Sequence, residues 1–216
     1  MTFCVALLGG SFDPVHHGHV ALGALFANLL RPDELRIIPA GNPWQKSALR
    51  ATPEARVAML KLAFADAGLS TALDRQEIER TTPTYTVDTL RNVRAELGPQ
   101  ASIVFLMGAD QLQHLDTWRD WRQLFELAHI GVAARPGFSL AGAALPPAVA
   151  TELQQRQASL EQLRNTPSGQ AYLAQTLDVD ISSTQVRAAL QRGEQANSLI
   201  PRVVLDYIQQ HNLYKI

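Results

Sequence analysis

Residues 3–8, Phe-Cys-Val-Ala-Leu-Leu, form a continuous apolar run that Gly9 and Gly10 bring to a stop. A strand that is apolar on both faces belongs in a sheet covered on both sides, which is the habit of parallel sheets flanked by helices. The next segments agree. Val20, Leu22, Leu25, Phe26 and Leu29 make a broad apolar stripe, predicting a helix over 17–30 that Pro32 ends. Residues 35–39 read as a second strand. Thr52 and Pro53 open a helix running to about residue 67, a capping residue followed by a first-turn proline. Further on, 73–78 reads as a strand, 86–97 as a helix, and 102–107 as a second central strand closed by Gly108. A helical stretch over 117–127 leads to a strand at 129–134. Such alternation predicts an α/β fold, a Rossmann-like doubly wound parallel sheet. In such sheets ligands bind beyond the C-terminal ends of the strands, where these glycines fall.

Residues 138–175 are rich in Ala, Gln, Pro and Ser. They read as an insertion with one helix near 146–164, inside a single domain covering 1–216. The strand–helix pattern resumes at 178–181, with a helix at 183–191 and a last one at 201–210, so the C-terminal portion is helical. A chain of 216 residues, 46% hydrophobic, can bury a sizeable core. Its formal net charge of -1 offers no field to gather a nucleic acid polymer or an anionic membrane. Phosphate recognition must then be local. Cys4 stands alone, which suits a reducing compartment and a core position. The opening apolar run has no basic residue ahead of it and is too short for a signal peptide or a membrane span, so a cytoplasmic location is expected. Nothing in the patterning marks a subunit contact.

Chemistry concentrates first in residues 9–19, Gly-Gly-Ser-Phe-Asp-Pro-Val-His-His-Gly-His. Gly9 and Gly10 let backbone approach a ligand without a Cβ in the way. Ser11 adds a hydroxyl, and Asp13-Pro14 forms a turn. Gly18 and His19 fall at a helix start, where N–H groups lacking acceptors and the positive dipole end attract anions. His16 and His19, three apart, can face the same side of that first turn. Together these features suit a polyphosphate. A zinc site is the rival use of clustered histidines, but no nearby cysteine or carboxylate completes a familiar four-ligand spacing.

A second cluster is Ile181-Ser-Ser-Thr-Gln-Val-Arg187. Ser182, Ser183 and Thr184 can cap or line a helix N-terminus, and Arg187 lies about one turn inside it. That again suits phosphate, now with a guanidinium. Residues 41–47 share some features of a P-loop but lack its second glycine and are one residue short.

Gly-Gly-Ser-Phe-Asp-Pro-x-His-x-Gly-His near one end, with Ile-Ser-Ser-Thr-x-Val-Arg near the other, resembles the bacterial nicotinate-nucleotide adenylyltransferases of the His-x-Gly-His nucleotidyltransferase superfamily. The middle of the chain is similar too. Thr84-Tyr85-Thr86 resembles the segment that binds the pyridine nucleotide, and Gly108-x-Asp110 the one associated with the riboses. Thr117-Trp118 resembles the place where an aromatic ring stacks on the pyridine, and Arg135-Pro136-Gly137 also fits. Where many members carry Pro-Pro-His-Lys, this chain has Pro43-Trp44-Gln45-Lys46, keeping the lysine but not the histidine.

The resemblance implies adenylyl transfer from ATP to nicotinate mononucleotide, with Mg²⁺ accompanying ATP. ATP would meet Gly9, Gly10, Ser11, Phe12, His16, His19, Gly108, Asp110, Ile181, Ser182, Ser183 and Arg187. His16, His19 and Arg187 would carry the catalysis. The mononucleotide would meet Lys46, Thr84, Tyr85, Thr86, Trp118 and Arg135. Backbone N–H groups near Thr86, at a helix start, would favour the nicotinate carboxylate over a neutral amide. Within the superfamily the rival is a pantetheine-phosphate adenylyltransferase, a generally shorter chain. From another class, the rival is a nucleotide sensor, which has no need of the His16–His19 pair and Arg187.

Overall fold

The computed structural model describes residues 2–43, 49–134, 145–174, 179, 181–194 and 196–214. Among these residues six parallel strands make one sheet in the order β3-β2-β1-β4-β5-β6. They are β1 (Cys4–Gly10), β2 (Glu34–Pro39), β3 (Ala72–Leu73), β4 (Ser102–Gly108), β5 (His129–Ala133) and β6 (Ala171–Ala174). The expected Rossmann-like sheet is present, and its order reverses between β1 and β4.

Alternation along the strands divides the core into two layers. Cys4, Ala6 and Leu8 of β1 point to one face, with Leu22, Phe26 and Leu30 of α1 (His17–Leu30) and Met59, Leu60, Ala63 and Phe64 of α2 (Pro53–Asp66). Val5 and Leu7 point to the other, with Val87, Leu90 and Val93 of α4 (Thr86–Leu97) and Leu124 and Phe125 of α5 (Gln123–Leu127). Each fully buried side chain such as Phe26 contributes roughly 2–3 kcal/mol. The two-sided apolar character of residues 3–8 thus has its physical counterpart. Cys4 is fully buried, and burial raises its thiol pKa.

Helix α1 has the bounds the sequence predicts. It closes with Arg31 in a left-handed conformation, φ 46°, just before Pro32. At the start of α2 the Thr52 side chain accepts the Ala55 N–H at 3.2 Å.

Four expectations are corrected. The strand expected over 73–78 stops at Leu73, because the Asp74 carboxylate accepts the Gln76 N–H at 2.9 Å and turns the chain into the short helix α3 (Gln76–Glu79). The helix expected over 117–127 is a 3-10 helix at Ala109–Thr117, an extended Trp118, and then α5. Asp120, at φ 50°, interrupts the right-handed path between them. The one helix expected over 146–164 is two, α6 (Pro147–Gln155) and α7 (Leu160–Asn165). Ser159 starts the second with a reciprocal cap, its hydroxyl accepting the Gln162 N–H at 3.2 Å and its own N–H donating to the Gln162 side chain at 2.8 Å. Finally, the stretch read as an insertion supplies β6, which pairs with β5 at the sheet edge. Of the strand expected at 178–181, residues 178 and 180 lie outside the described residues, and 179 and 181 carry no strand. Helices α8 (Ser183–Gln191) and α9 (Arg202–Gln210) follow.

Candidate active site

A cleft of about 970 Å³ opens over the C-terminal ends of β1, β2, β4 and β5, at the reversal of strand order. Its lining includes Gly9, Gly10, Ser11, His16 and His19 from the β1–α1 turn and Ile181, Ser182, Ser183 and Arg187 from α8 and its approach. Gly108 and Asp110 from the end of β4 also line it, as do Thr84, Thr86 and Trp118 on the remaining wall. Two motifs more than 160 residues apart in the chain therefore share one cavity.

At the α1 N-terminus the His16 N–H donates to Nδ1 of His19 at 3.3 Å, and the two rings stack with centroids 3.7 Å apart. With Nδ1 accepting, a neutral His19 carries its proton on Nε2. His16 is buried and His19 half-buried. Phe12 departs from expectation. Its side chain is fully buried, in a left-handed conformation at φ 47°, and its ring meets His19 edge-on at 4.8 Å. It packs against the histidine and is not among the residues lining the cleft.

Helix α8 is docked onto this turn. Ser183 Oγ donates to the Pro14 carbonyl at 3.0 Å, and Arg187 donates to the Asp13 carbonyl at 2.7 Å. A second Arg187 nitrogen donates to Thr184 Oγ1 at 3.1 Å, so the guanidinium is held from two sides. Ser182 Oγ accepts the Gln185 N–H at 3.2 Å, while the Ser182 N–H donates to the Gln185 side chain at 2.6 Å. That hydroxyl caps the helix, and Ser182, Ser183 and Thr184 at its start line the cleft.

On the far wall, the Thr84 N–H donates to the Asn42 carbonyl at 3.0 Å, and Thr86 opens α4. Trp118 is half-buried, edge-on to Phe105 at 6.4 Å, and its indole Nε1 is buried without a hydrogen-bond partner among the described residues. Tyr85 is not among the lining residues: the Arg119 guanidinium lies 4.9 Å from its ring centre. Gly108 matters for its missing side chain, since a Cβ there would lie 2.5 Å from the Asp110 carboxylate, which folds back over it. Lys46 and Arg135 lie outside the described residues.

Residues in and behind the cleft wall carry no signal in the motifs. Glu77 lines the wall near Thr84, accepts the Thr89 hydroxyl at 2.7 Å, and burial raises its pKa above the usual carboxylate range. Gly41 allows this approach, because a Cβ there would sit 1.8 Å from the Glu77 carbonyl oxygen. Arg56, 1% exposed, donates to the Ser11 carbonyl at 2.9 Å from beneath the turn. Its spacing to Met59, Leu60 and Ala63 places it on the buried stripe of α2, which is the signal that could have marked it. Among the described residues no three His, Cys, Asp or Glu side chains gather as a metal cage.

Residues 7–189 match the cytidylyltransferase-like family model. A probable nicotinate-nucleotide adenylyltransferase of Herminiimonas arsenicoxydans is 60% identical, covering 100% of this chain and 98% of its own. The chain belongs to the nicotinate-nucleotide adenylyltransferase family. A second probable nicotinate-nucleotide adenylyltransferase, from Chromobacterium violaceum, is 46% identical over 98% of each chain. Among solved structures, the Plasmodium falciparum nicotinic acid mononucleotide adenylyltransferase complexed with NaAD superposes with a TM-score of 0.71 at 21% identity. That match covers 98% of this chain and 97% of the other, and it supports the fold. Membership of the nicotinate-nucleotide adenylyltransferase family rests on the sequence relatives.

Proposed function

We infer that the protein transfers the adenylyl group of ATP to nicotinate mononucleotide, forming deamido-NAD and releasing pyrophosphate. One observation carries the reading: the His16–His19 turn and the α8 N-terminus converge on a single cleft whose opposite wall is Thr84, Thr86 and Trp118. A phosphate oxygen of the mononucleotide attacks the α-phosphorus, and the bond from that phosphorus to the β-phosphate bridge breaks as pyrophosphate leaves. The attacking oxygen is already ionised, so no general base is needed. What the protein supplies is alignment of the two nucleotides and positive charge at the phosphates.

His19 Nε2–H, His16, the α1 and α8 N-termini and Arg187 stabilise charge on the equatorial and leaving oxygens, with Lys46 a further phosphate contact. Asp110 takes a ribose hydroxyl, and Trp118 stacks on the pyridine. The cleft carboxylates are otherwise engaged: Asp13 accepts several N–H and O–H groups, and Glu77 holds Thr89. Mg²⁺ would accompany ATP, where it would offset phosphate charge without a carboxylate cage from the described residues. No helix among the described residues is long and apolar enough to cross a membrane. The cytoplasm is the proposed site of action.

Purified protein with ATP, Mg²⁺ and nicotinate mononucleotide should release pyrophosphate. A nucleotide sensor would bind ATP without doing so. First-turn N–H groups at Thr86 favour an anion, so nicotinate mononucleotide should outcompete nicotinamide mononucleotide. Equal kcat/KM for the two would refute that selectivity.

A further inference from the structure

Asp13 lies within the phosphate-facing turn, 3% exposed, and four partners from distant parts of the chain converge on it. Its Oδ2 accepts the Arg50 N–H at 2.8 Å, and its Oδ1 accepts the Ala51 N–H at 3.0 Å. The same Oδ1 accepts the Tyr214 hydroxyl at 2.7 Å, from a residue 201 positions away. Its carbonyl accepts Arg187. Arg56 presses from below, bonded to the Ser11 carbonyl, with its charge facing the Asp13 carboxylate.

Tyr214 follows α9, in a left-handed conformation at φ 61°, and is 7% exposed. Packing alone would accept a phenylalanine there. The hydroxyl is different: buried and short to a carboxylate, it adds a charge-assisted bond that apolar packing does not require. Its acceptor is the residue whose carbonyl holds Arg187 and whose carboxylate holds the Arg50 and Ala51 N–H groups. Burial and the Asp13 charge both raise the Tyr214 pKa, so the hydroxyl stays a donor.

We propose that Tyr214 is a positioning residue for adenylyl transfer, setting the β1–α1 turn and Arg187 through its hydroxyl on the Asp13 carboxylate. The inference rests on the adenylyl-transfer reading. Donors to a transition state must be placed within about 0.5 Å, and a turn released on one side loses that placement before it loses its fold. The effect belongs in kcat, because bound ground-state nucleotides tolerate more play than the transition state does.

Tyr214→Phe keeps the ring and removes the hydroxyl. Assayed well below its own unfolding midpoint, it should lower kcat about tenfold, the scale of one hydrogen bond to a charged group. The KM for nicotinate mononucleotide should stay within about twofold, since that wall makes no contact with Tyr214. In an Asp13→Ala background, which takes the acceptor away, the same substitution should add almost nothing, because the two act through one bond. An unchanged kcat in Tyr214→Phe, or an equal loss in both backgrounds, overturns the proposal while leaving adenylyl transfer intact. An inactive wild-type protein overturns adenylyl transfer itself, and this role with it.

Discussion

The stacked imidazoles at the α1 N-terminus illustrate how much one side chain does at the residue scale. His19 accepts the His16 N–H through Nδ1 and lines the cleft, with Phe12 against its edge. Removing one preorganised donor to a transition-state oxygen typically costs ~10²–10³ in turnover. His19→Ala should therefore lower kcat on that scale in a pyrophosphate-release assay, and a near-normal rate would remove His19 from the mechanism. The spacing of His16 and His19 was legible because residues three apart on a helix share a face, a local rule. The burial of the Phe12 ring was not legible, because its direction depends on a positive φ that no motif shows.

Among the elements, α4 shows how a site wall is fastened from behind. Thr86 opens it at the cleft, and Arg94 near its other end donates to the carbonyls of Gly98, Ala101, Leu127 and Pro167 at 2.7–3.1 Å. Those carbonyls belong to the turn before β4, the end of α5 and the approach to β6. Burial lowers the Arg94 pKa without threatening its charge. Arg94→Met leaves four carbonyls short of a donor, some of which water will reach. The expected loss is about 3 kcal/mol of unfolding free energy, read from urea denaturation. A loss below about 1 kcal/mol would mean that water replaces the guanidinium. The start of α4 was legible from its sequence, whereas the break between α6 and α7 was not, although Ser159 and Gln162 stand at the spacing of a reciprocal cap.

Across the whole molecule, the sheet edge depends on a fully buried histidine. His129, at the start of β5, has Nε2 2.7 Å from the Thr166 carbonyl, and Nδ1 accepts the Gln170 N–H at 3.1 Å. A neutral ring protonated on Nε2 satisfies both. Burial, helped by the Arg94 charge and opposed by the Thr166 bond, holds its pKa below the ordinary 6.5. The unfolded chain then binds more protons than the folded one as pH falls. Stability from this group is complete above about pH 6.5 and is lost as pH drops through the folded value. Thermal midpoints should fall between pH 7 and pH 5, and His129→Gln, less stable at pH 7, should show a shallower decline. Parallel declines would remove His129 as the cause. What the sequence by itself determined was local: buried strands from continuous apolar runs, helix starts from caps, and phosphate-facing turns from glycines and helix N-termini. Those features follow from short-range sterics and backbone hydrogen bonding, which neighbours in the chain decide. Only the tertiary structure decided the strand order, the edge strand from residues 171–174, and the meeting of the two phosphate motifs in one cleft. It alone placed Tyr214 on Asp13, because packing between elements 201 residues apart has no local signature.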